Sequence, residues 1–99
     1  MRKADDDLVI RAVAAEIKAR RAKAQISQEE LAHRAGLHRS FIARLEVART
    51  QPSIAALFRI AAGLDTSAVE VIEGAEKRHL EELRSQQTRA APPLAKPHP

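Results

Sequence analysis

Apolar residues recur every three or four positions along most of the chain, whereas strict alternation never persists for more than a few residues. Such a period is typical of amphipathic helices, so the pattern predicts helices and gives almost no signal for strands. It divides the chain into five helical segments, at about residues 5–24, 28–35, 39–47, 54–64 and 68–74. We therefore expect an all-α fold.

Local signals mark where several of these helices begin and end. Ser27 and Glu30 are spaced as a capping box, in which a serine N-cap is followed three residues later by a glutamate. Gly36 is placed to end the second helix, because glycine adopts the left-handed conformation of a C-cap without steric cost. Two short helices joined by such a turn fit a helix-turn-helix unit, although a plain αα-hairpin within a bundle has the same periodicity.

Composition divides the chain into three parts. Residues 1–74 hold most of the apolar pattern and are predicted to form one domain. Residues 75–88 are charged and rich in helix formers, which predicts a helical extension. Residues 89–99 hold four of the five prolines and are predicted to form a disordered tail.

Positive charge is concentrated in the first three-fifths of the chain. Residues 1–60 carry 12 Lys and Arg against 7 Asp and Glu, and the remaining residues carry 5 against 6. A polyanion is the natural partner of such a segment. The chain has two Phe and no Trp or Tyr, so it lacks the stacking platforms of single-strand and many RNA binders. Duplex DNA is the favoured partner.

The sequence also argues against other classes of protein. The absence of cysteine removes disulfides and thiol chemistry and indicates a reducing compartment. The longest stretch without a charge runs from Thr50 to Phe58, which is too short to cross a bilayer, and the first residues form no apolar signal segment. We therefore expect a cytoplasmic protein with no membrane partner.

We expect neither an enzyme nor a cofactor or metal. The sequence holds no evident pairing of nucleophile and base, no metal-ligand cluster and no phosphate-binding loop. Glu29 and His33 lie four residues apart on one helix, but no third ligand follows at a suitable spacing. We interpret them as a surface pair.

Several groups of residues at fixed spacing resemble the Cro/C1-type (XRE-like) helix-turn-helix transcriptional regulators, which include phage repressors and restriction–modification controller proteins. The groups are Ile26 to Ala32, Ala35 to Leu37, Ser40 to Ile42, Leu45-Glu46 and Pro52-Ser53. The resemblance covers about residues 10–73. It implies a compact five-helix, lambda-repressor-like domain that binds duplex DNA through helices 2 and 3. It also implies a bacterial or phage protein that is associated with the nucleoid.

Two positions depart from the family pattern. Gln25 and Ala48 stand in chain reversals where the family usually has glycine. Residues with a Cβ are disfavoured in left-handed conformations. We therefore expect these two turns to be strained or differently shaped.

By resemblance, the exposed side of helix 3 faces base edges in the major groove. The residues expected to read bases are Arg39, Ser40, Ala43 and Arg44. Arginine suits this role because it can donate two hydrogen bonds to guanine, although a merely solvated cationic face would contain the same side chains. The residues expected to bind phosphate are Gln28, His38, Arg49 and Thr50, and His38 fits equally well as a helix cap.

One carboxylate is expected on the buried side of helix 3. Glu46 lies beside Ile42 and Leu45 on the helical wheel, and a buried carboxylate requires a partner. The resemblance supplies Arg21 of helix 1. The expected role of Arg21 and Glu46 is a structural ion pair.

The first functional hypothesis is a transcriptional regulator, a repressor or autoregulator, that binds a pseudo-palindromic operator as a homodimer. Pairing is expected because one recognition helix reads too few base pairs for useful specificity. The apolar residues beyond the four-helix core would form the interface, namely Val69, Ile72, Leu80 and Leu83. In the alternative, a monomer, Val69 and Ile72 fold back onto helices 1 and 4.

The second hypothesis is an antitoxin that binds a toxin as well as its own operator. Residues 75–99 would be the protein-binding segment, since mixed charge and disorder are properties of segments that fold on binding.

Overall fold

Five helices account for most of the chain that the structure describes. The structure is a computed structural model, and it describes residues 3–90, with side chains over residues 5–89. The helices are α1 (Lys3–Ala24), α2 (Gln28–Ala35), α3 (Arg39–Glu46), α4 (Ile54–Gly63) and α5 (Ala68–Ala90). No strand occurs within residues 3–90, and the all-α prediction is confirmed.

Every helix contributes at least one fully buried side chain to a single core. These side chains are Ile17, Leu31, Ile42, Leu45, Ile60 and Val71. Alanines such as Ala32, Ala35 and Ala61 are buried between them and let the short helices approach closely. Full burial of a large aliphatic side chain stabilises a fold by about 1.5–3 kcal/mol, so this core is the main source of stability.

Three helices begin at serine N-caps. The hydroxyl oxygens of Ser27, Ser53 and Ser67 each accept a hydrogen bond from the backbone N–H three residues on, at 2.9, 3.0 and 3.1 Å. Each bond satisfies one of the N–H groups that a helix start leaves without an intrahelical acceptor. The helix starts predicted at residues 28, 54 and 68 are confirmed.

The first four helices end in one type of turn. The residue that follows each helix, or lies two positions beyond it, adopts a positive φ; these residues are Gln25 (59°), Gly36 (66°), Ala48 (60°) and Asp65 (55°). Each donates its N–H to the carbonyl three residues back, and the next residue donates to the carbonyl five residues back. This is the Schellman arrangement, and it satisfies carbonyls at the helix end. The left-handed C-cap predicted at Gly36 is confirmed.

The turns at Gln25 and Ala48 have the same hydrogen bonds as the turn at Gly36. The shape of these two turns is therefore the same. In place of glycine, a residue with a Cβ adopts the left-handed conformation. That conformation costs an L-residue about 1–2 kcal/mol. The surrounding packing and the two hydrogen bonds of each turn offset the cost.

We expect Ala48→Gly to raise the free energy of unfolding by about 0.5–1 kcal/mol. Relief of the left-handed strain exceeds the cost of about 0.5–1 kcal/mol that arises from the greater freedom of glycine in the unfolded chain. Urea unfolding followed by circular dichroism measures the difference. Ala19→Gly is the control, because Ala19 is exposed within α1 and its replacement should lower stability by about 1 kcal/mol. Equal destabilisation by both changes would contradict strain at Ala48.

The fifth helix continues through Gly74, where the sequence predicts a boundary between a domain and an extension. Residues 68–90 form one helix, so the predicted division at residues 74/75 lies inside α5. Arg89 and Ala90, which the sequence places in the tail, are helical as well. Residues 91–99 lie outside the described part of the chain.

Gly74 allows α1 and α5 to approach closely. A Cβ at this position would overlap the carboxylate of Glu16, so no other residue fits without moving that side chain. A glycine that serves close approach looks the same in sequence as one that ends a helix. This ambiguity explains why the boundary is misplaced.

Glu16 holds the two long helices together. Its carboxylate accepts hydrogen bonds from Arg20 Nε at 2.6 Å and from Arg78 Nε, on α5, at 2.8 Å. Burial by itself raises the pKa of Glu16, but the hydrogen bonds and charges of the two arginines outweigh it and hold the pKa below its ordinary value. Arg20 also donates to the Glu70 carbonyl, so α1 and α5 run antiparallel.

Candidate nucleic-acid interface

The third helix buries one face and exposes the other. Ile42 and Leu45 are fully buried, while Arg39, Ser40 and Arg44 are exposed and Ala43 is half-buried. The face formed by Arg39, Ser40, Ala43 and Arg44 is called the reading face below. Since α3 spans only eight residues, its buried side determines which way the reading face points.

The other predicted contacts lie at the two ends of this helix. His38 is the N-cap residue of α3, its side chain is exposed, and it makes no capping hydrogen bond. The role of a side-chain cap is therefore not observed, and phosphate binding stays a prediction. Arg49 is exposed and Thr50 half-buried in the connector between α3 and α4.

A bidentate ion pair joins α3 to α1. Arg21 Nε donates to Glu46 Oε2 at 2.6 Å, and Arg21 Nη2 donates to Glu46 Oε1 at 2.9 Å. The side chain of Glu46 is 1% exposed and that of Arg21 is 17% exposed. The third donor, Arg21 Nη1, binds the carbonyl of Ile26 at 2.7 Å. One arginine thereby fixes both the end of α3 and the chain reversal before α2.

Gln28 extends this pair to α2. Its Nε2 donates to Glu46 Oε1 at 3.0 Å, and the side chain is half-buried. A glutamine amide nitrogen carries two N–H groups, so one remains to donate to a phosphate oxygen. Gln28 thus has a structural contact in the free protein that the sequence analysis did not predict.

The charge of Glu46 is stabilised against burial. Burial by itself raises the pKa of this carboxyl, but hydrogen bonds from Arg21 and Gln28 and the charges of Arg21 and Lys18 outweigh it, and the pKa lies below its ordinary value. A pKa that is lower in the folded than in the unfolded chain stabilises the fold at neutral pH. That contribution is lost as the pH falls through the folded-state pKa.

We expect Glu46→Ala to lower the free energy of unfolding at neutral pH by about 3 kcal/mol, because it leaves the guanidinium of Arg21 largely buried without its anion. The double change Arg21→Met with Glu46→Leu should recover most of the loss, since it leaves no charge unpaired. Urea unfolding measures both variants. A free energy of unfolding that Glu46→Ala leaves unchanged would show that the pair contributes little.

The same variants test the pH dependence. The free energy of unfolding of the wild type should fall as the pH drops below about 4.5, the ordinary pKa of a glutamate, because Glu46, Glu16 and Glu70 then take up protons that the folded chain disfavours. The double variant should fall less steeply, because of the three lowered carboxyl pKa values only those of Glu16 and Glu70 remain. Equal slopes would contradict a lowered pKa at Glu46.

The apolar residues that the sequence analysis assigns to an interface differ in exposure. Val69 is 65% exposed, Ile72 45% and Leu80 50%, whereas Leu83 is half-buried. Val69 and Ile72 are therefore not buried against α1 and α4 within one chain, and that predicted packing is wrong. The reason is that Val71 and Ala75 occupy the buried side of α5.

Three further apolar side chains are exposed among the described residues. Val47 is 61% exposed, Phe58 63%, and Ile54, which the pattern groups with the core residues of the fourth helix, 72%. Ile54 and Phe58 lie four residues apart on α4. Ile54 also lies three residues before Leu57 and seven before Ala61, both of which are buried, so helical spacing alone groups it with the core.

Comparison with known proteins identifies the class of protein. A family model of the helix-turn-helix matches residues 17–71, which is more than half of the chain. The chain belongs to the XRE-type helix-turn-helix family, and the resemblance seen in the sequence is confirmed. Membership of this family supports a DNA-binding transcription regulator, a class that is typically not enzymatic.

Two solved structures of the clp gene regulator ClgR from Corynebacterium glutamicum are similar to this chain. One is 22% identical, with a TM-score of 0.72, and the match covers 82% of this chain and 87% of that chain. The other is 23% identical, with a TM-score of 0.66 and coverage of 70% and 90%. These structures show that the fold is shared. None of the curated proteins matches the chain.

Residues 3–90 contain neither a membrane-spanning helix nor a metal-binding cluster. No helix there is long and apolar enough to span a membrane. No group of three or more His, Cys, Asp or Glu side chains in this part of the chain is arranged to hold a metal ion.

Proposed function

We propose that the protein is a sequence-specific repressor or autoregulator that binds a pseudo-palindromic operator as a homodimer. The observation that carries the proposal is the reading face: two exposed arginines and a serine on a helix whose other face is locked into the core. The Arg21–Glu46 pair holds the end of that helix, so the side chains are presented in a fixed orientation.

The residues divide into two roles. Arg39 and Arg44 read base edges, because a guanidinium can donate two hydrogen bonds to guanine O6 and N7. Gln28, His38, Arg49 and Thr50 bind phosphates around the groove, which fixes the register of the helix without reading sequence. Ser40 and Ala43 are small enough to allow close approach of the helix to the bases.

The dimer is supported by exposed apolar side chains on α5. Val69, Ile72 and Leu80 have no place in the core of one chain, and Leu83 continues the same helix toward its end. Burial of such side chains against a second copy would contribute about 1.5–3 kcal/mol each, which offsets the cost of association. The recognition helices of the pair would lie about 34 Å apart, one turn of DNA.

The antitoxin hypothesis finds less support. It requires a segment that becomes ordered only on a partner, yet residues 75–90 are helical and Arg78 is paired with Glu16 within one chain. Only residues 91–99 would remain for such a role, and they lie outside the described part of the chain.

We expect Arg39→Ala and Arg44→Ala each to weaken binding to the preferred duplex by about 1–3 kcal/mol and to relax specificity at one base pair. Gln28→Ala should weaken specific and random duplexes by similar factors. Binding isotherms on a duplex selected from random sequence, and on a scrambled duplex, separate the two effects. Arg84→Ala is the charge-matched control, because Arg84 is exposed on α5 away from the reading face. Equal losses on both duplexes for Arg39→Ala would contradict base reading.

We expect the wild type to sediment as a dimer at micromolar concentration, and Ile72→Asp to sediment as a monomer. Operator binding should fall by roughly tenfold or more, because the two half-sites are then bound independently. Glu81→Gln is the control, since Glu81 is exposed and lies nine residues from Ile72, on the opposite side of α5. A wild type that stays monomeric while bound to its operator would refute the dimer.

A further inference from the structure

An apolar side chain, that of Val47, extends the reading face beyond the last residue of α3. Val47 is the C-cap residue, and its backbone angles (φ −104°, ψ 15°) stay close to the helical region. It follows Ser40 by seven residues and Arg44 by three, so it lies on the same side of the helix. Its side chain is 61% exposed, so the core of the chain does not account for it.

Val47 lies within reach of the groove if the reading face does. Seven helical residues span about 10 Å, and the major groove of B-DNA is about 12 Å wide. A helix that places Ser40 against base edges therefore brings Val47 to the groove as well. The side chain of Arg49, two residues after Val47, carries the positive charge that suits a phosphate.

A branched aliphatic side chain can neither donate nor accept a hydrogen bond, so it cannot read a base edge in the way that arginine does. The base edges of the major groove do present one apolar group, the 5-methyl of thymine. Contact with that methyl removes apolar surface of both partners from water.

We infer that Val47 is a specificity-determining residue that packs against the 5-methyl of a thymine in each operator half-site. The inference rests on the proposed function and adds a base preference to it. The arginines of the reading face select guanine, and Val47 selects thymine near the position that the C-terminal end of α3 occupies.

The test replaces each thymine of the selected duplex in turn by deoxyuridine, which pairs identically but lacks the methyl. We expect one position per half-site at which wild-type binding falls about fourfold, the factor that corresponds to one buried methyl-sized group. Val47→Ala should bind the thymine and deoxyuridine duplexes with nearly equal affinity. Phe58→Ala is the control: Phe58 is an apolar side chain of similar exposure on α4, and its removal should leave the wild-type ratio unchanged.

The outcomes are distinct. A selected half-site without thymine, a wild type indifferent to every deoxyuridine, or a Val47→Ala variant that keeps the full wild-type sensitivity would each overturn the inference while DNA binding itself stands. A wild type that selects no duplex would contradict the proposed function and the inference together.

Discussion

Three helices depend on the carboxylate of Glu46. It accepts hydrogen bonds from Arg21 on α1 and from Gln28 on α2, and it belongs to the last residue of α3. A buried ion pair adds little net stability compared with apolar residues of similar volume, because the desolvation of both charges must be offset. Its contribution here is directional: two hydrogen bonds from one guanidinium fix the position of the Glu46 carboxylate relative to Arg21.

The turns that end the first four helices also depend on contacts that hold the backbone in place. The first four helices end in a left-handed residue, and only one of the four residues is glycine. Gln25 and Ala48 accept a strained conformation because both turn hydrogen bonds form and Arg21 also binds the Ile26 carbonyl. Local strain is thus outweighed by the hydrogen bonds in and around the turns.

Sequence reasoning works here where the determining interaction is local. Ser27, Ser53 and Ser67 cap helices through bonds to residues three positions away, and Gly36 meets a steric requirement of its own backbone. The Arg21–Glu46 contact spans 25 positions and was expected only through resemblance to a family. The sequence does not reveal the roles of Gly74 and Glu16. A small residue is needed at position 74 because a carboxylate on another helix lies against it. The exposure of Ile54 likewise depends on which face of α4 the rest of the fold covers, which no single helix reveals.

The central claim, that α3 presents its exposed arginines to the major groove, is tested most directly by dimethyl sulfate footprinting on a selected duplex. The reagent methylates guanine N7 in the major groove and adenine N3 in the minor groove, so it reports which groove the protein occupies. We expect protection of guanine N7 in two patches about one helical turn apart, with one guanine in each patch becoming reactive again in Arg39→Ala. Protection of adenine N3, with every guanine N7 still reactive, would contradict it.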